Sequence, residues 1–136
     1  MTALVKRMKA AERQSQQLRD RLLTADAERV AGQAADLGPV LFATAHTDLA
    51  PRPLAELVRA RLPHARPGVV AVASPEGFVV AVNEPAKVSR VSAAALVKLV
   101  LDGRGGGNAA LAQGKRPADS EATTDRLTRL LAEYSG

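Results

Sequence analysis

The chain contains no cysteine and no tryptophan, and its only aromatic residues are Phe42, Phe78 and Tyr134. Without cysteine there is no disulfide, no thiolate metal site and no cysteine nucleophile. The shortage of aromatics argues against modules that present several rings on a sheet for base stacking, and leaves Val, Leu and Ala to build the core. Two histidines, His46 and His64, cannot make a three-histidine zinc site, and neither stands in an H-E-x-x-H pattern. No apolar run approaches the length of a membrane span, and charge is scattered through the first turns where a signal peptide needs an apolar block, so the expected setting is cytoplasmic with no membrane partner.

What is present is the composition of a folded protein: 136 residues, 46% hydrophobic and 24% charged, room for one compact domain with a modest appendage. The formal charge of +5 is concentrated. Residues 87–116 hold Lys87, Arg90, Lys98, Arg104, Lys115 and Arg116 against the single acidic Asp102, an excess equal to that of the whole chain. A local surplus of this kind points to a polyanionic partner, and its plainer alternative is a solubilising surface.

The organisation follows from hydrophobic period and punctuation. Residues 3–35 lack proline and contain one glycine, and Leu4, Met8, Ala11, Ser15, Leu18, Leu22 and Ala25 recur at spacings of four and three. This predicts a helix with a heptad-like seam that packs in a hairpin, in a dimer or against the rest of the chain. Leu37-Gly38-Pro39 ends it. Residues 40–45 read as a buried strand, Pro51 to Leu62 as a helix with Leu54, Leu57, Val58 and Leu62 inward, and 69–73 and 78–83 as a hairpin turning at Ser74-Pro75-Glu76-Gly77. Strand, helix and strand make one crossover unit, extended by an antiparallel strand. A helix capped by Ser92 runs to Asp102, residues 103–118 form a basic glycine-rich loop, and Asp119 to Tyr134 is a last amphipathic helix. The expected class is mixed α/β (α+β): a long coiled-coil-like helix in residues 1–37, then a small globular domain in 38–136 with a sheet of three or more strands flanked by helices.

The segment from Gly103 to Arg116 holds the chemistry. Four glycines within Gly103-Arg104-Gly105-Gly106-Gly107 cost conformational entropy on ordering. Gly103 serves to end the preceding helix, and the other three admit another backbone or a phosphate close to main-chain N–H groups. Asn108 is placed to cap a short helical turn ending at Gly114, directing free N–H groups at an anion beside Arg104. A P-loop is excluded because six residues separate Gly107 from Gly114 and Arg116 stands where the metal-binding hydroxyl belongs; a dinucleotide fingerprint is excluded because a helix, not a strand, precedes the glycines. His46 with Thr44, Thr47 and Asp48 falls just past a strand end, but without a second histidine, a cysteine or a nucleophile motif it reads as a surface loop histidine, and His64 as a helix-terminus cation.

The progression Val40-Leu41-Phe42-Ala43, Val69-Val70-Ala71-Val72-Ala73-Ser74, Phe78-Val79-Val80-Ala81-Val82, Ala95-Leu96-Val97-Lys98 and Gly103-Arg104-Gly105-Gly106-Gly107 with Leu111-Ala112-Gln113-Gly114 resembles the C-terminal (C-Ala) domain of alanyl-tRNA synthetase. That domain belongs to the DHH-associated C-terminal domain group, also found in DHH-type phosphoesterases and nucleases. The resemblance covers residues 4–134 and implies a helical, dimerising part and a globular part that contacts the elbow of tRNA. It carries no aminoacylation or editing motif, so no enzymatic activity is implied. Where that family continues from the glycines with Arg-Pro-Asp and ends in a glycine pair, this chain has Asn108-Ala109-Ala110 and, after Gly114, Lys115-Arg116.

The resulting expectation is a non-catalytic tRNA-binding module. Its expected RNA-binding residues are Lys98, Gly103, Arg104, Gly105, Gly106, Gly107, Asn108, Gln113, Gly114, Lys115 and Arg116, with no cofactor and no metal. Its expected partners are tRNA, alanine tRNA among them, the remainder of a synthetase, and a second copy through the N-terminal helix. The competing expectation is a dimerisation or protein-interaction element acting through that helix alone.

Overall fold

The computed structural model describes residues 2–101, 105–115, 117 and 119–133. In chain order the elements are α1 (Thr2–Gly32), β1 (Ala35–Asp36), β2 (Leu41–His46), α2 (Pro51–Arg61), β3 (Gly68–Ser74), β4 (Gly77–Val82), α3 (Glu84–Val88), α4 (Ala93–Val100), β5 (Gly106–Gly107), β6 (Leu111–Gly114) and α5 (Ser120–Ala132). The strands form one six-stranded sheet in the order β1-β2-β3-β4-β6-β5.

β3 and β4 are buried at every position, so both faces of the sheet are covered and the strands read as continuous apolar runs rather than alternating ones. Val69, Ala71, Val80 and Val82 pack with residues of α3, α4 and α5; Val70, Val72, Val79 and Ala81 pack with α1 and α2. The result is three layers, helix on sheet on helix. β2 and β3 are parallel, with Phe42 opposite Val69, and α2 crosses between them; β3 and β4 are the expected antiparallel hairpin.

Within the glycine-rich segment the structure corrects the sequence reading. Residues 111–114 are a strand, not the end of a helical turn, and pair antiparallel with Phe78–Ala81 of β4. Gly106–Gly107 add the outermost strand. Ala, Leu and Gln are good helix formers, but β4 would otherwise present an unpaired edge of backbone groups, and pairing outweighs so short a helical preference.

α1 corrects the expected packing of the seam. Its C-terminal part is anchored through Leu23, Ala27, Val30 and Ala31 against α2 and the sheet. Met8, Leu18 and Leu22 of the seam are exposed, at 57%, 58% and 69%. At 3.6 residues per turn the seam and the anchoring face lie about 130° apart around the helix, so the seam cannot pack on the globular part of its own chain. Among the described residues no helix is long and apolar enough to cross a membrane.

Buried Asn83 (6% exposed) joins the end of β4 to its surroundings. Its Oδ1 accepts from Gly68 N at 2.9 Å and Ala86 N at 3.0 Å, and its Nδ2 donates to Arg66 O at 2.9 Å and Pro63 O at 3.4 Å. It caps α3 and fixes the 63–68 segment to it. Near β1, Arg66 makes a two-point contact with Asp36 (2.8 and 2.9 Å) and reaches Gly38 O at 2.9 Å. The Arg66 hydrogen bond, then the Gly38 N–H, hold the Asp36 carboxyl well below the usual carboxylate range.

Candidate nucleic-acid interface

Two of the glycines are required by the protein's own backbone. Gly105 has φ +85° and Gly107 φ +154°. A Cβ on Gly105 would meet Gln113 O and Val97 Cγ1 at 2.8 Å; one on Gly107 would meet Leu111 O and Ala112 Cα. The approach they permit is that of β6 and α4. Gly106 differs: a Cβ there would meet nothing within 4 Å among the described residues, so toward these its surface is open.

Asn108 has another task than the one expected. Its Oδ1 accepts from Ala110 N at 2.8 Å and Leu111 N at 2.9 Å, which closes the turn of the β5–β6 hairpin. The backbone oxygens of Asn108 and Ala109 accept from Ala94 N and Ala93 N, and Ser92 Oγ accepts from Ala95 N. The start of α4 is thus satisfied by the hairpin, and Asn108 heads no helix that could present N–H groups to an anion.

At its other end the hairpin opens on a cavity of about 860 Å³ lined by Gly105, Gln113, Gly114 and Lys115 and, from across the sheet, by Ala50, Pro51, Arg52 and Glu76. Four of the residues expected from sequence are therefore brought together. Arg52 is an addition that its sequence position does not reveal: Pro51 starts α2, and the start of the helix delivers Arg52 to the same cavity as Lys115, 63 positions later in the chain. Ala50 offers no side-chain cap, and with Pro51 and Pro53 lacking an N–H the first turn of α2 contributes mainly the Arg52 side chain to this space. Arg52 Nε contacts Glu56 Oε1 at 3.1 Å in an exposed pair, which screening by solvent leaves weak. Against the single carboxylate of Glu76 among the described lining residues, the arrangement offers two cations, backbone and an amide to an anionic, oxygen-rich ligand.

The remaining expected residues are dispersed. Lys98 is exposed on α4, and Asn108 lies at the far end of the hairpin from Lys115. Gly103, Arg104 and Arg116 lie outside the described residues.

His46 is the last residue of β2 rather than a loop residue, exposed beside Thr44, Glu121, Thr124 and Asp125 in a cavity of about 460 Å³. Among the described residues no three His, Cys, Asp or Glu side chains form a group that could hold a metal ion.

No family model matches the chain. It is similar to the alanine–tRNA ligase of Salinispora tropica, with 39% identity over 121 residues, 81% of this chain and 13% of the relative. It is also similar to that of a Nocardioides species, with 36% identity over 141 residues, 96% of this chain and 16% of the relative. The chain thus spans about one-seventh of the length of these relatives. Among solved structures it resembles the C-Ala domain of Aquifex aeolicus alanyl-tRNA synthetase (TM-score 0.50, 25% identity, 68% of this chain and 90% of that one). RecJ from Thermus thermophilus shares the fold at 19% identity (TM-score 0.62, 87% of this chain and 19% of that one).

Proposed function

On a chain that is related to alanyl-tRNA ligases over most of its length and has the fold of the C-Ala domain, we propose a non-catalytic tRNA-binding module that docks through the Lys115 cavity and the glycine-rich hairpin. The likeness is to the accessory C-terminal domain of the synthetase and not to its catalytic part. The carrying observation is the meeting of Lys115, Gln113 and the Gly105 and Gly114 backbone with Arg52 in one cavity. Cations and exposed backbone suit phosphate oxygens, which position an RNA without reading its bases. The elbow of a tRNA, recognised by shape and backbone geometry, is the proposed target, with alanine tRNA in a cytoplasmic synthetase as its context.

The test is the salt dependence of binding to unfractionated tRNA. Replacing Arg104, Lys115 and Arg116 together by Ala should weaken binding and flatten the slope of log affinity against log salt by about two to three, since each lost phosphate contact removes close to one. Unchanged affinity and slope would remove the hairpin from the contact surface.

A second reading, self-association through residues 1–37 while 38–136 engages RNA, is favoured by one observation. Met8, Leu18 and Leu22 lie exposed on the side of α1 turned away from its anchoring face. A helix with so much exposed apolar surface gains from a partner helix. Sedimentation of Leu18→Glu with Leu22→Glu should show a lighter species than the parent, and the parent's thermal midpoint should rise with protein concentration while the variant's does not, because association stabilises the folded state and neither side chain is buried in the single chain.

A further inference from the structure

A second basic groove lies at the opposite end of β4 from the Lys115 cavity, assembled from three separate segments of chain. Arg59 comes from the last turn of α2, His64 from the segment after it, and Lys87 from α3; with Asn83, Glu84 and Ala110 they line about 280 Å³. Glu84, the one carboxylate lining the groove among the described residues, is contacted by Lys87 Nζ at 3.3 Å. Positive charge is therefore in excess there.

The walls are held in place. Arg59 Nη1 donates to Ala110 O at 3.2 Å, which ties the guanidinium to the tip of the β5–β6 hairpin. Asn83 bonds at once to the 63–68 segment and to the first turn of α3, so His64 and Lys87 project from segments pinned to the same buried side chain. Side chains carried on backbone that is fixed before a ligand arrives lose less entropy on binding it.

The placement of the two basic sites decides the kind of ligand. Gly77 and Phe78 line the Lys115 cavity, and Val82 lines the Arg59 groove. Gly77 and Val82 stand five steps of extended strand apart, about 17 Å, and Val79, which also lines the cavity, is three steps from Val82, about 10 Å. A single phosphate or a small anion fills one site; a polymer of phosphates engages both. Between them runs the β5–β6 hairpin, with Gly105 at the cavity and Ala110 at the groove, and its outer strand Gly106–Gly107 is exposed at the edge of the sheet. Gly106 presents no side chain, and among the described residues nothing stands within 4 Å of where one would begin.

We infer that an RNA phosphodiester backbone lies along the β5 edge and is held at both ends, by Arg52 and Lys115 at one and by Arg59, His64 and Lys87 at the other. This inference rests on the RNA-binding reading above and adds to it a second contact and a direction for the strand.

The experiment uses the full chain and unfractionated tRNA over a salt series, with hydroxyl-radical footprinting of one labelled tRNA. The variant Arg59→Gln with His64→Gln and Lys87→Gln should weaken binding, lower the salt slope by about two, and lose one of two protected backbone stretches while keeping the other. Because Arg59 also supports the hairpin, the pair His64→Gln with Lys87→Gln is measured beside it, with an expected loss of about one unit of slope. If both groove variants bind as the parent does while the Arg104, Lys115 and Arg116 variant is weakened, the groove is a solvated face and this inference falls alone. If the parent chain binds no tRNA, the RNA reading falls and takes this inference with it.

Discussion

Asn83 Oδ1 accepts a hydrogen bond from the backbone N–H of Gly68 at 2.9 Å, joining the end of β4 to the start of β3 across 15 residues of sequence. The same side chain satisfies Ala86 N, Arg66 O and Pro63 O, so all four of its hydrogen-bonding positions are used in a nearly dry setting. Asn83→Ala strands these backbone groups and should cost about 2–4 kcal/mol in urea unfolding. Asn83→Asp should not rescue it, since a carboxylate keeps the two acceptor contacts but faces Arg66 O and Pro63 O with no donor. Equal stability of Asn83→Asp and the parent would show that the two contacts accepted from Gly68 N and Ala86 N suffice and that those donated to Arg66 O and Pro63 O contribute little.

The legible parts of the fold are those whose burial is written in one segment. Val69–Ala73 and Phe78–Val82 are apolar at successive positions because helices cover both faces of the sheet, and such runs can be read without knowing the partner. Ser92 and Asp119 cap their helices, accepting from Ala95 N and Ala122 N, as their residue types suggest. What escaped depended on a partner. The heptad pattern in α1 selects Leu18 and Leu22, yet the buried face uses Ala27, Val30 and Ala31, because small residues let α2 approach. Leu111–Gly114 contain no β-branched residue and become a strand only beside β4. In the site, Gly105, Gln113, Gly114 and Lys115 were legible as a local motif, but Arg52 was not, since only the sheet brings α2 to them.

Arg90 has φ +67°, the one non-glycine residue in the left-handed region among those described, and it follows α3 where glycine usually terminates a helix. Its N–H donates to Lys87 O at 3.0 Å, and Val91 N reaches back to Ala86 O at 2.9 Å. The left-handed conformation costs a side-chain-bearing residue about 1–2 kcal/mol, and glycine's extra freedom when unfolded returns about 0.5–1 kcal/mol of that. Arg90→Gly should therefore stabilise the chain by about 0.5 kcal/mol, read as a higher urea midpoint at unchanged slope. A lower midpoint would mean that the Arg90 side chain contributes more than its backbone costs.

The Asp36–Arg66 contact predicts a pH dependence whose sign follows from the depressed Asp36 carboxyl. The folded chain keeps this group ionised at pH values where the unfolded chain, with an ordinary carboxylate near 3.9, takes up a proton. Its stabilisation is present above about pH 4–5 and is lost as pH falls through the unfolded value toward the folded one. Asp36→Asn should lower stability by a constant amount at neutral and alkaline pH and flatten the acid limb, so that parent and variant converge as pH falls. Both side chains are substantially exposed, so added salt should shrink the difference at neutral pH. Identical acid limbs for parent and variant would show that the contact does not persist in solution.

Gly106 and Gly107 are adjacent in the chain but stand in opposite surroundings, and this separates a structural need for glycine from a binding one. At Gly107 the backbone is left-handed and a Cβ collides with Leu111 O and Ala112 Cα, so Gly107→Ala should destabilise the chain by about 2 kcal/mol or more. At Gly106 the space is open among the described residues, and Gly106→Ala should fall within about 0.5 kcal/mol of the parent or slightly above it. Gly106→Val can then be used on folded protein to ask what approaches that edge from outside. If an RNA backbone lies there, the branched side chain obstructs it without removing charge, so affinity for unfractionated tRNA should drop while the salt slope stays close to that of the parent. Removing Arg104, Lys115 and Arg116 should do the reverse in kind, changing the slope as well as the affinity. A folded Gly106→Val chain that binds as tightly as the parent would mean that nothing closes on the β5 edge, and the contact would have to be sought in the cations alone.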